Sequence, residues 1–103
     1  MPIGDFVNNN PAPVFLLIHL VAFAIGAYFA WRSFGAGATT LGWAFSLFAL
    51  AEISYMTYHL DWTVFLFAHT ISEVLDLLAF ILVFVAATAG VRSLADRSAT
   101  QGA

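Results

Sequence analysis

Three long apolar runs, joined by two short polar connections, make up most of this chain. The first extends from Pro13 to Trp31, the second from Leu41 to Tyr58 and the third from Val64 to Ala89. None carries the polar stripe that a helix of a soluble bundle turns to water. A membrane span takes about 20 apolar residues. Backbone groups in lipid must bond within their own segment, so such runs are helical. The pattern predicts an all-α integral membrane protein in one domain, a three-transmembrane-helix up-down-up bundle. Its spans lie at about 13–32, 40–59 and 63–90, with a polar C-terminal tail over 91–103.

The punctuation agrees with those limits. Asn10, Pro11 and Pro13 precede the first run, and proline fits the first helical position, where no backbone donor is needed. Arg32 to Thr40 is polar and glycine-containing. Leu60, Asp61 and Trp62 form the second connection, with Asp61 or Thr63 available as a helix N-cap. Gly90 suits the end of the third helix. The third run is longer than one span and is expected to tilt or protrude.

Composition narrows the class further. The chain is 62% hydrophobic and only 9% charged, against about 25% charged in soluble domains, so lipid must supply much of its solvent. It has no Cys, which removes thiolate metal sites and thiol nucleophiles. Nor has it a basic cluster to neutralise phosphates, and nucleic acid is excluded as a partner. The first residues lack Lys and Arg, so the first run is expected to be a retained span, not a cleaved signal.

All the basic residues fall on one side of the predicted topology: Arg32 after span one, Arg92 and Arg97 after span three. The positive-inside rule then sets the N-terminus outside and the C-terminus in the cytoplasm. Trp31, Trp43 and Trp62 lie near span ends, where interfacial aromatics belong. The expected location is a prokaryotic cytoplasmic membrane.

Against this background six ionisable residues stand out within the predicted spans: His19, Glu52, His59, His69, Glu73 and Asp76. An ionisable group at bilayer depth is a functional-site hypothesis. Alternating helix direction brings several to one level. With a rise of about 1.5 Å per residue, His19 and His69 lie roughly 9 Å, and Glu52 roughly 11 Å, below the outer ends of their helices. His69, Glu73 and Asp76 follow i, i+4, i+7 spacing, and Glu52, Tyr55, Met56 and His59 follow i, i+3, i+4, i+7, so each set shares a helix side. Ala22, Gly26 and Ala30 run down the His19 face, and Gly42, Ser46 and Ala49 form a similar strip on the second helix. Small residues at this spacing let membrane helices approach closely. The polar faces are expected to converge inside the bundle or between subunits.

The leading reading of that layer is a transition-metal site with His19, Glu52, His69 and Glu73 as ligands. Tyr55, His59 and Asp76 would stand beside the ion or on its access path. Such a donor set suits Zn, Fe, Mn or Cu(II), and a cation would let neighbouring carboxylates coexist. Neither the ExxH pair of di-iron bundles nor HExxH is present.

The alternative is a proton- or cation-handling subunit, since Asp, Glu and His chains mark proton relays in membranes. Below Asp76 the third helix offers only Phe80, Val83, Phe84 and Ala87, so one copy alone would carry no complete channel. A further alternative is a haem or chlorophyll held by His19, which is flanked by apolar residues on both sides. A membrane His preceding an interfacial Trp resembles antenna polypeptides, and that resemblance covers one span. Purely architectural hydrogen bonding between helices is the remaining reading.

No Ser has the setting of a catalytic triad; metal-dependent catalysis, such as oxidation of a small apolar molecule reaching the site through lipid, stays open, but no substrate is identifiable and the chain is not expected to act as an enzyme on its own. Short spans with almost no extramembrane domain point to a homo-oligomer or an accessory subunit of a larger membrane complex.

Overall fold

The computed structural model of this protein describes residues 3–101, and every regular element among them is helical. A 3-10 helix, Asp5–Asn9, precedes α1 (Ala12–Gly35), α2 (Thr39–His59) and α3 (Phe65–Gln101). α1 and α3 are each long and apolar enough to cross a membrane, over Ala12–Gly35 and Phe65–Ala99. α2 is less apolar, carrying Thr39, Thr40, Ser46, Glu52, Ser54 and Thr57.

Its position accounts for that composition. α2 lies between α1 and α3, packing on both, while α1 and α3 make no close backbone approach to each other among the described residues. The three helices therefore form a layer with α2 in the middle, 64 × 31 × 20 Å overall, not a closed three-sided bundle. Side-chain pairings show that consecutive helices run antiparallel. His19 meets Glu52 and Phe29 meets Phe45 across α1 and α2, and Tyr58 meets Phe65 and Ser72 meets Ala51 across α2 and α3.

Small residues make both seams possible. On the α1 side, Gly26 and Ala30 are buried against α2, and Ala22 is half-buried. A Cβ added at Gly26 would stand 2.8 Å from Phe48 Cδ1, and one at Gly42 would stand 2.6 Å from the Phe34 ring. The small strips expected on α1 and α2 thus form this interface. On the other side, Ala51, Ala68, Ser72 and Ala79 are buried. Two hydrogen bonds cross that seam in opposite directions: Ser54 Oγ donates to the Ala68 carbonyl at 3.1 Å, and Ser72 Oγ donates to the Ala51 carbonyl at 2.9 Å. Bonds of this kind contribute about 0.6 kcal/mol each on average in membrane helices.

Both connections end the preceding helix the same way. Gly37, with φ 80°, closes α1 as Ala38 N–H bonds to Ser33 O and Gly37 N–H to Phe34 O. Asp61, with φ 63°, closes α2 as Trp62 N–H bonds to Thr57 O and Asp61 N–H to Tyr58 O. This left-handed closure satisfies the orphan carbonyls of a helix end. It also revises two expectations. Asp61 terminates α2 instead of capping α3, and Thr63 Oγ1 pairs with Thr57 Oγ1 at 3.0 Å, two residues before α3 begins.

The third revision is at Gly90, which lies inside α3 and does not end it. An interior glycine costs a helix only about 1 kcal/mol relative to alanine, and the following Val-Arg-Ser-Leu-Ala-Asp-Arg contains no breaker. Most of the predicted tail is therefore helix, and residues 102–103 lie outside the described part. At 37 residues α3 far outreaches the 21 of α2, and residues 87–99 are exposed throughout.

Two substitutions test the seam. Gly26→Val should destabilise the fold by about 1–3 kcal/mol through overpacking against Phe48. Gly35→Ala, with open space around the added Cβ, should be neutral or stabilising by up to about 1 kcal/mol. Reversible unfolding in mixed detergent micelles measures both.

Candidate functional site

The singled-out polar residues come from all three helices and gather around the end where α1 begins and α2 finishes. His19 lies two turns into α1, and Glu52 faces it from α2. His19 Nδ1 and Glu52 Oε2 are 2.5 Å apart, a hydrogen bond in which the imidazole N–H donates to the carboxylate. Glu52 is only 8% exposed. A carboxylate so enclosed needs a donor, and His19 is the one that reaches it.

The rings around this pair form a closed circuit. His19 stacks on Tyr55 and on His59, with centroids 5.0 and 5.3 Å away. Tyr55 meets His69 at 6.5 Å, His69 stacks on Phe65 at 5.1 Å, Phe65 meets Tyr58 at 5.3 Å, and Tyr58 returns to His59 at 4.9 Å. Phe15 covers the outer face of His59. All three histidines of the chain belong to this circuit. Beside it a cleft of about 420 Å³, lined by Asn10, Phe15, Tyr58, His59 and Asp61 among others, opens at the helix ends. His59 therefore borders both the cleft and His19.

α3 contributes differently from the expectation drawn from its i, i+4, i+7 pattern. The stripe it turns to α2 is Ala68, Ser72 and Ala79. His69 and Asp76 are half-buried at the margins of that stripe, and Glu73 is exposed. Tyr55 OH points to Glu73 Oε1 at 3.5 Å, a weak contact at best. Asp76 lies nearly another turn along, with its Oδ1 buried and without a hydrogen-bond donor among the described residues.

Of the four expected ligands, then, His19 and Glu52 meet directly. His69 joins them through the Tyr55 ring, and Glu73 stands outside the layer. Among the described residues no three His, Asp or Glu side chains gather closely enough to hold one ion. Even so, a carboxylate on Nδ1 is the usual way to orient an imidazole whose Nε2 takes a metal. Seen so, Glu52 would aim His19 instead of binding an ion itself.

Reading the sequence did not identify Phe15, Tyr58 and Phe65 as walls of the site, nor Ser54 and Ser72 as the seam bonds beneath it. One signal was available: Phe15 precedes His19, and Phe65 precedes His69, by four residues, so each helix carries the same Phe-x-x-x-His spacing. No family model, no curated protein and no solved structure matches this chain.

The pair itself is open to measurement. A double-mutant cycle on His19→Ala and Glu52→Ala, read by unfolding in detergent, should give a favourable coupling of about 0.6–1.7 kcal/mol, the range of interhelical hydrogen bonds. Glu73→Ala, by contrast, should change stability by no more than about 0.5 kcal/mol.

Proposed function

We propose that this protein is an integral membrane subunit that handles protons through the His19–Glu52 pair. Support for the membrane begins with the two helices long enough to span it, whose apolar side chains mostly face outward. Leu17, Ile18 and Trp31 on α1, and Leu66, Phe80 and Phe84 on α3, are each more than half exposed. Hydrocarbon, or a neighbouring subunit within it, is the medium that suits such faces. Arg32, Arg92 and Arg97 lie toward the end opposite the histidines, so the proposed orientation puts the His19–Glu52 level near the outer face.

One observation carries the proton reading: a direct imidazole–carboxylate hydrogen bond between two helices, with a second imidazole stacked on it at the edge of an open polar cleft. Imidazole is the side chain whose charge changes most readily near neutral pH. A hydrogen-bonded carboxylate can take or return the proton without a free ion in lipid. Protons arriving from the cleft would meet His59 first and the His19–Glu52 pair next. The apolar segment below Asp76 has no further carrier, so one copy would load and unload protons from one side, and a second copy or a larger complex would complete a passage.

A second reading rests on the same hydrogen bond. With Nδ1 engaged by Glu52, His19 Nε2 is the atom left for a transition metal or a tetrapyrrole iron or magnesium. Since His69 and Glu73 do not join it, the other ligands would come from a neighbouring copy.

Infrared difference spectra of the protein in bilayers, taken across pH steps, separate these readings. Proton handling predicts carboxyl and imidazole bands that change together, and Glu52→Gln should remove both changes while His69→Ala leaves them. Bands that titrate independently would contradict a shared proton. Metal at about one ion per chain or per pair of chains after purification, lost in His19→Ala, would favour the second reading.

A further inference from the structure

A layer of three helices has two broad faces, and here one of them gathers the polar residues. Tyr55 of α2 stacks on His19 of α1 at 5.0 Å and meets His69 of α3 at 6.5 Å, and its hydroxyl points to Glu73 Oε1. α1 and α3 flank α2 without a close backbone approach to each other among the described residues. One side chain of α2 can meet both flanking helices only from one side of the layer, so His19, Tyr55, His69 and Glu73 share a face. Gly26, Phe48 and Phe80 stand seven residues along from His19, Tyr55 and Glu73, which keeps them on the same sides of their helices. They help line an apolar cleft of about 460 Å³ between the three helices. This face is therefore polar at one level and an apolar groove farther along.

The polar level is incomplete. Glu73 is exposed, and its contact with the Tyr55 hydroxyl, at 3.5 Å, is long for a hydrogen bond. His19 bonds Glu52 through Nδ1, and no hydrogen bond engages its Nε2 or either nitrogen of His69 among the described residues. Both histidines are half-buried. Among the described residues that are not exposed, Asp76 Oδ1 is the one side-chain N or O atom sealed from the surface without a partner, so these nitrogens are open to a neighbour. Lipid tails would cover the groove and offer Glu73 nothing.

A second copy answers both needs. Two copies inserted in the same sense can be related by a two-fold axis along the membrane normal, the commonest symmetry of pairs. When the axis runs between two facing layers, it sets α1 of each copy opposite α3 of the other. The depths agree as well. Ser72, the neighbour of Glu73, bonds the carbonyl of Ala51, and Ala51 adjoins Glu52, the partner of His19. His19 and Glu73 therefore lie within roughly one helical turn, about 5 Å, of one level.

We propose that this face joins two copies of the chain, with Glu73 of each hydrogen-bonded to His19 Nε2 of the other and the apolar grooves closing on one another. Each His19 then stands between two carboxyl groups, Glu52 of its own chain and Glu73 of the second copy. The inference rests on the membrane placement proposed above and does not require that the pair handle protons.

The test uses the full chain in phosphatidylcholine vesicles. Single-molecule photobleaching of unaltered protein labelled at its N-terminus should count two chains per particle. Glu73→Ala should weaken the pairing about tenfold, since the symmetry removes each lost contact twice. The chain has no Cys, so introduced cysteines report without background. Phe29→Cys on α1 and Phe80→Cys on α3 both stand on the cleft wall. Oxidised together in mixed vesicles, the two variants should form a disulfide-linked pair far more readily than either forms alone. Single chains that stay in the vesicles through an alkaline wash would overturn the dimer and leave the membrane placement intact. Chains released by the wash would overturn both. Pairing undiminished in Glu73→Ala, or linkage of each cysteine variant with itself as readily as with the other, would also contradict the proposal. The count on unaltered protein stands whether or not the variants fold.

Discussion

The arrangement of this chain follows from the difficulty of keeping polar side chains on helices that are otherwise apolar. α2 holds Glu52, Ser54, Tyr55 and Thr57 within three turns of one another, and such a helix on its own is poorly suited to hydrocarbon. Flanked by α1 and α3, it hands its polar groups to partners: Glu52 to His19 on one side, Ser54 to the Ala68 carbonyl on the other. The flanking helices can then be apolar almost all round, as they are. Close approach is needed on both sides, and Gly26, Gly42, Ala51, Ala68 and Ser72 permit it. The short left-handed closures at Gly37 and Asp61 reverse the chain within a few residues, which keeps the three helices consecutive in space.

The same constraint explains why chemistry collects at one end. His19 and Glu52 satisfy each other where neither could stand alone, and Tyr55 and His59 stack over the His19 ring. His59 sits at the margin, between that stack and an open cleft. The proton exchange proposed above would draw on this combination of an enclosed pair and a neighbour beside an open cleft. Asp76, by contrast, borders an apolar cleft, and its Oδ1 is buried with no hydrogen-bond donor among the described residues.

Much of this was legible in the residues alone. The helices were readable because their apolar runs are long and their boundaries are marked by Pro11, Pro13 and Gly37. The shared level of His19 and Glu52 followed from helix rise and alternating direction, and the small strips on α1 and α2 pointed correctly to their contact. Gly90 misled because its cost to a helix is slight and the residues beyond it favour continuation. The face of α3 was harder to assign. Periodicity groups His69, Glu73 and Asp76 on one side, but the packing face is set by which residues are small enough to touch α2, and Ala68, Ser72 and Ala79 win that competition. Polarity marks where function could be, whereas volume decides which side turns inward, and a single sequence displays the first more plainly than the second. The layered order, with α2 central, likewise depends on which helix has small residues on two faces, a property visible only once both partners are known.

The central claim is that His19 and Glu52 are bonded to each other inside a bilayer. Dipolar-recoupling solid-state NMR on protein reconstituted in lipid, with ¹⁵N in the histidines and ¹³C in the glutamate side chains, measures this directly. The account predicts a strong His19 Nδ1 to Glu52 carboxyl coupling, lost in Glu52→Gln, with the His19 ring shielded from the acyl chains. A His19 imidazole in contact with lipid and uncoupled from any carboxyl carbon would contradict it.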